Sequence, residues 1–355
     1  MSRKSRLPEL FVLATGQDDN IGDVILRREY LDRLRPIGHL NIFVGSSSED
    51  FLDGLRLHAS DTTYTDFADW HSDAWRALVR NRIWLVDKPG ELQLDVGTLR
   101  RQLRLLPLVT ATRLTRGQVL RLGIAMRAAN TLYLTLLRPL YLLSSMIGWR
   151  DTATGPAFGF GEVEPDWAFG WTGSDPEGHE LDRPHIVVSY RADREPPSDS
   201  ILDAIVSAAI SGGRRVLVVT QVRRDAERSH QLAARLGAEL VSWPEERSSV
   251  EHEKILRNIY RTSAVVISNR LHALIVAMTE GAVPLCITEG GEPKINRHLE
   301  AAGYNASTIC LNDTTSLPLA ELIKEQIERR VEALDASRTA LRRLDALSER
   351  LKAIR

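Results

Sequence analysis

Ala264-Val265-Val266-Ile267-Ser268-Asn269-Arg270-Leu271-His272-Ala273-Leu274-Ile275-Val276-Ala277-Met278-Thr279-Glu280-Gly281-Ala282-Val283-Pro284-Leu285-Cys286-Ile287-Thr288 sets two apolar runs on either side of one helical stretch. The first run, Ala264 to Ser268, and the second, Pro284 to Thr288, show no polar alternation, as expected of strands covered on both faces. Leu271 to Glu280 reads as the helix between them, so the pair is expected to be parallel. The same alternation extends upstream. Strands are expected at Ile186 to Ser189, Val216 to Thr220 and Glu239 to Val241, with helices at Ser200 to Ile210, Asp225 to Leu236 and Val250 to Arg261. Helices on both faces of a parallel sheet make this half a doubly wound α/β domain.

Nearer the N-terminus the pattern is less regular. Leu10 to Thr15, Asn41 to Val44, Arg82 to Val86 and Met146 to Trp149 read as strands, and Ile21 to Leu34 as a helix with Ile21, Ile25, Leu26, Tyr30 and Leu34 on one face. Leu92 to Leu143 reads as mostly helical. A polar run from Thr172 to Pro184, rich in Gly, Asp and Pro, reads as a linker. The chain is therefore expected to hold an α/β Rossmann-like domain over residues 1–171, a linker over 172–184, a second Rossmann-like domain over 185–312 and a charged helical segment over 313–355. That last segment carries an apolar stripe from Leu319 to Leu351, suited to packing across the first domain or to pairing with a second copy.

Composition narrows the function. Of 355 residues, 46 are Lys or Arg and 47 are Asp or Glu, for a formal charge of −1, so no global field draws in nucleic acid. Any anion must be held by a local site. Two cysteines, Cys286 and Cys310, make no disulfide framework and imply a reducing, cytoplasmic setting. The nine histidines show no ligand spacing, so no metal is expected. Arg121, Arg127 and Arg138 interrupt the most apolar window, Leu120 to Trp149, which argues against a transmembrane segment and leaves peripheral attachment at the inner face of a membrane open.

Doubly wound sheets bind ligands at the carboxyl ends of their strands. Four such places hold notable residues. In Ser268-Asn269-Arg270-Leu271-His272, Arg270 and His272 fall at the first turn of a helix, where the dipole, a planar guanidinium and an imidazole all suit an anion. Thr288-Glu289-Gly290-Gly291-Glu292-Pro293-Lys294 adds a tight turn and the point charge of Lys294. Asn20-Ile21-Gly22-Asp23 follows the first strand and offers an amide and a carboxylate for sugar hydroxyls. Arg150 and Asp151 follow Trp149, with Glu164 to Phe169 downstream.

These segments, in this order, resemble the polysaccharide pyruvyl transferase family: N-x-G-D as Asn20 to Asp23, R-D as Arg150-Asp151, a P-D-x-A-F-like run as Pro165 to Phe169, and S-x-R-L-H-A as Ser268 to Ala273. A G-x-P-like run at Gly281 to Pro284 and Lys294 complete the likeness. One departure is Val86-Asp87-Lys88-Pro89-Gly90-Glu91, which stands where the family commonly carries a run of glycines. The resemblance implies the two-domain glycosyltransferase B architecture, with the donor held by the second domain and the acceptor by the first. It implies transfer of pyruvate from phosphoenolpyruvate to two sugar hydroxyls as a cyclic ketal, in exopolysaccharide or cell-surface glycan synthesis, without a cofactor. The acceptor is then a sugar or glycan, free or lipid-linked. On this reading Arg270, His272, Lys294, Ser268 and Asn269 hold the donor, and Asn20, Asp23, Arg150 and Asp151 hold the acceptor. His272, Arg270 and Asp23 are the candidate catalytic residues. Two alternatives stand beside it: a glycosyltransferase of this architecture using a nucleotide sugar, with Gln221 to Arg224 near the base, and a non-catalytic scaffold.

Overall fold

A computed structural model describes residues 7–80, 82–128, 130–171, 182–311 and 318–354. The chain divides into two compact units. The first comprises Met1–Asp18, Asp23–Trp167 and Arg343–Arg355, and the second Asp19–Gly22 and Ala168–Arg342. The boundary after Trp167 precedes the expected linker, of which residues 172–181 lie outside the described residues.

The first unit contains β1 (Glu9–Leu13), α1 (Ile21–Leu34), β2 (His39–Phe43), α2 (Glu49–Gly54), β3 (Thr62–Tyr64), α3 (Phe67–Arg80), β4 (Ile83–Val86), β5 (Gly90–Leu92), α4 (Val96–Leu114), β6 (Gln118–Met126), α5 (Thr131–Leu142), β7 (Met146–Trp149), α6 (Thr154–Phe158) and β8 (Glu162–Val163). The strands form one parallel sheet in the order β3-β2-β1-β4-β6-β7-β8, with β5 also paired to β6. Its central strands are buried almost throughout, which accounts for their lack of alternation. Trp70, Ala74 and Leu78 recur at helical spacing on α3 and pack on Phe11, Leu85 and Val119, while the Trp70 indole donates to Asn41 O at 3.0 Å.

The second unit contains β9 (His185–Ser189), α7 (Asp199–Ser211), β10 (Arg215–Val219), α8 (Ala226–Leu236), β11 (Glu239–Val241), α9 (Ser249–Arg261), β12 (Ser263–Ser268), α10 (Leu271–Thr279), β13 (Val283–Thr288), α11 (Pro293–Ala301), β14 (Thr308–Cys310) and α12 (Leu319–Glu328). The last helix, α13 (Arg330–Ala353), begins in this unit, and its residues from Arg343 onward belong to the first. The sheet is parallel in the order β11-β10-β9-β12-β13-β14. A reciprocal cap between Ser248 and Glu251 starts α9. Ile323 and Ile327 on α12 join the core formed by Ile186, Val188, Ile205 and Ile267. Two doubly wound, Rossmann-like domains are thus the fold.

Three expectations are corrected. Leu92 to Leu143 is helical in α4 and α5 but not continuously so, because β6 runs through its middle, nine residues long and buried in all but its first residue. A strand covered on both faces has the same composition as a buried helix, and periodicity cannot separate them. The C-terminal stretch is two helices joined at Arg329, and it is divided between the units instead of forming one separate segment. Arg150 and Asp151 are interior residues, 2% and 0% exposed, and do not present themselves to an acceptor. Arg150 Nη1 pairs with buried Asp166 at 2.5 Å, and Asp151 Oδ1 holds the turn that leads into α6 by accepting from Ala153 N and Thr154 N. Their charges are spent on fixing the chain after β7.

Candidate active site

In each sheet the connections leave the first strand in one direction and later resume on its other side. The switch falls between β9 and β12 in the second unit and between β1 and β4 in the first. Loops diverge at such a switch and leave a crevice at the carboxyl ends of the strands.

At the β9/β12 switch the segment after each strand is tied to the other. Ser268 Oγ donates to Ser189 O at 2.6 Å and accepts from Arg270 N at 3.0 Å, and Asn269 Oδ1 accepts from Arg191 N at 2.8 Å. Ser268 and Asn269, expected as donor contacts, therefore staple the two strand ends and hold Arg191 and Arg270 side by side. Arg270 caps α10 and forms a bidentate pair with Asp225, with Nε and Nη2 at 2.7 and 2.6 Å. Asp225 is 1% exposed and also accepts from Ala192 N at 2.9 Å. Arg270 is thus a cation already matched to a fixed carboxylate, not a bare charge awaiting a ligand.

Two further arginines share this rim. Arg191 holds Asp193 by a bidentate pair at 2.8 and 2.7 Å, which keeps the Asp193 carboxyl well below the usual carboxylate range and raises Arg191. Arg224 holds Asp19 at 2.6 and 2.5 Å and is raised by it. Arg191 was not singled out in the sequence, although its place two residues past a buried strand was legible. Asp225 and Asp19 could not be paired with their arginines from sequence, because they lie 45 and 205 positions from Arg270 and Arg224.

His272 lies in the first turn of α10 and packs directly on Gly22, where any Cβ would overlap the imidazole. Gly22 is brought there by the Asp19–Gly22 segment, which belongs to the second unit. Asn20 bridges to Val222, Arg223 N donates to Asp19 O at 3.0 Å, and Asn20 Oδ1 accepts from Gly22 N at 3.0 Å. The N-x-G-D motif is therefore divided. Asn20 sits with the unit expected to hold the donor, whereas Asp23 sits in the first unit, where it accepts from Gln17 N at 3.0 Å and meets Arg27 at 3.4 Å. Asn20 and Asp23, expected together on the acceptor side, are thus assigned to different units. Lys294 stands at the start of α11 after β13, one strand beyond the switch.

At the β1/β4 switch the chain after Val86 delivers Lys88, whose Nζ donates to Thr15 Oγ1 at 3.1 Å. Burial, with Arg27 and Arg101 nearby, lowers the Lys88 ammonium from its ordinary range. Arg27 donates to Thr15 O at 2.7 Å and Asp23 O at 2.9 Å. A side-chain cluster of Lys88, Arg27, Arg101 and Asp23 thus occupies the position where a glycine-rich backbone turn was the family pattern. Among the described residues no group of His, Cys, Asp and Glu could hold a metal ion.

No protein-family model and no curated protein matches the chain. Solved structures do resemble it. Alr3699/HepE from Anabaena, solved in complex with UDP, is 12% identical with a TM-score of 0.53, over 98% of this chain and 97% of that one. Phytolacca americana UGT2, complexed with UDP-2fluoro-glucose and pterostilbene, is 11% identical with a TM-score of 0.55, over 98% and 100%. UDP-GlcNAc 2-epimerase from Neisseria meningitidis bound to UDP-GlcNAc is 10% identical with a TM-score of 0.52, over 93% and 94%. These likenesses establish the glycosyltransferase B fold.

Proposed function

We propose that the chain is a phosphoenolpyruvate-dependent pyruvyl transferase acting on a sugar of a glycan. The supporting observation is the β12–α10 junction, where Arg270 and His272 stand at a helix N-terminus beside Arg191, at the switch point of the second sheet. Phosphoenolpyruvate carries a phosphate and a carboxylate on one small carbon frame; the helix dipole and two guanidinium groups, held by Asp193 and Asp225 until the donor binds, supply the opposing charge. In the reaction, an acid gives a proton to the methylene carbon, turning it into a methyl group. One sugar hydroxyl then adds to the adjacent carbon and releases its proton. The second hydroxyl displaces inorganic phosphate from that carbon, loses its own proton and closes the ketal. His272 serves as the acid or donates a hydrogen bond to the phosphate, and Arg191 and Arg270 balance the charge as the phosphate departs.

Release of phosphate from phosphoenolpyruvate in the presence of a pyruvylatable glycan tests this directly. His272→Ala is expected to lower kcat by roughly 10²–10⁴, and an unchanged rate would remove His272 from the chemistry. A nucleotide-sugar enzyme would instead be stabilised against heat by UDP-sugars and not by phosphoenolpyruvate.

The Arg270–Asp225 pair adds a second expectation. Asp225→Asn keeps the shape of the pocket and leaves the Arg270 charge unmatched, so phosphoenolpyruvate should bind more tightly while Tm falls. Calorimetric titration reads the first and thermal unfolding the second. Weaker binding with a lower Tm would mean that Asp225 positions Arg270 for the donor and does not compete with it.

A further inference from the structure

From Val96 to Arg150 the chain carries nine arginines and no Asp, Glu or Lys, in a protein with 47 acidic residues. Arg121 and Arg150 are used inside the fold. Six others, Arg100, Arg104, Arg113, Arg116, Arg127 and Arg138, are exposed, and of these only Arg127 meets a carboxylate among the described residues, Glu91 at 3.9 Å.

The arginines are interleaved with apolar side chains that no core explains. On α4, Val96, Leu103 and Leu114 are exposed on the same face as Arg100 and Pro107, while Leu105, Leu108 and Val109 fill the core from the other side. On α5, which packs beside α4, Leu132, Leu136 and Leu142 are exposed, and Leu137 and Tyr141 face inward. Leu114 and Leu132 are 81% and 63% exposed. These two helices supply half of the exposed large apolar side chains among the described residues. A surface helix of a soluble domain needs one apolar face; these have two.

We propose that the outer faces of α4 and α5 dock the first unit on a membrane surface rich in anionic lipid. Leucine side chains enter the boundary between headgroups and acyl chains, and guanidinium groups engage lipid phosphates around them. A second copy of this chain is a poor occupant, because two acid-free arginine faces repel one another. A nucleic acid would leave the leucines without a partner. No described helix is long and apolar enough to cross a membrane, so attachment here is peripheral. This docking holds whichever donor the second unit takes.

Co-sedimentation of the full chain with vesicles tests the proposal without any substrate. The chain should bind vesicles of phosphatidylcholine with about a third phosphatidylglycerol, ignore pure phosphatidylcholine, and be released as salt shortens the Debye length. Leu132→Glu with Leu136→Glu should abolish binding. Arg100→Gln and Arg116→Gln should each weaken it roughly fivefold, and circular dichroism should report unchanged folding for all four exposed positions. Absence of binding to the anionic vesicles, equal binding to neutral ones, or variants that bind like the parent would each overturn it. Concentration-dependent self-association abolished by the same leucine changes would assign the face to a second copy instead.

Discussion

Arg257→Ala is expected to destabilise the second unit by about 3–5 kcal/mol, measured as a fall in the urea midpoint. Arg257 on α9 is buried and donates to Glu253 at 2.8 Å and to Glu280 at 2.8 Å. Glu280 is itself fully buried and takes a second arginine, Arg261, at 3.2 Å. The Trp171 ring lies 4.0 Å from the Arg257 guanidinium carbon, so the cation is screened from water on that side. Removing the side chain takes away the cation that both interior carboxylates share. The penalty comes from stranding charge where water cannot reach it, not from losing an attraction. A loss below about 1 kcal/mol, typical of surface pairs, would show that water reaches the site after truncation.

Glu164→Gln is expected to remove a pH dependence from the stability of the first unit. Glu164 is buried, and its Oε1 accepts from Gly123 N and from the Trp167 indole, the latter at 3.2 Å. Gly123 sits at a left-handed φ of 70°, where the register of β6 against β7 slips between Arg121 and Ile124, and Glu164 satisfies the amide exposed there. Burial pushes the carboxyl up from 4.5 to about 8, against those two hydrogen bonds and with help from the nearby Asp166 and Glu162 charges. Between these values the folded chain keeps a proton that the unfolded chain releases, so stability falls as pH rises, by about 1.4 kcal/mol per unit at most. Below 4.5 both states hold the proton, and above about 8 both have lost it. Gln keeps an acceptor for Gly123 and carries no proton to lose.

Buried His252, lowered to about 4 and held by Thr220 O at 2.7 Å, works in the opposite direction: its contribution is lost as pH falls below 6.5. Subtracting the variant's unfolding curve from that of the parent isolates Glu164. The difference in stability should shift toward the variant between about pH 5 and pH 8. Parallel curves across that window would mean that Glu164 is ionised in the fold.

Much of the second unit was readable in its sequence. Its helices and strands are short, separated by breakers such as Gly212-Gly213 and Gly281, and its strands are apolar without interruption. Local patterning therefore marked nine elements from Ile186 to Thr288 to within a residue or so of where they lie. Met146 to Trp149 and Ile21 to Leu34 in the first unit were legible for the same reason. β6 was not, since a fully buried strand with an arginine inside it carries no period of two. The candidate site divided along a similar line. Arg270 and His272 were visible because a strand end and a helix start fix where they stand along the chain.

The sequence by itself determined the fold class, the parallel sense of the second sheet and the strand end that carries the candidate chemistry. These follow from hydrophobic periodicity and chain connectivity, which are local. Only the tertiary structure decided that Arg270 is matched by Asp225, that Arg150 and Asp151 are interior, that Asn20 and Asp23 belong to different units, and that α4 and α5 turn outward leucines and arginines that meet no carboxylate among the described residues. Each of these depends on which residues meet across tens or hundreds of positions. Whether a charge is neutralised or an apolar side chain covered is a property of that meeting, not of the residue.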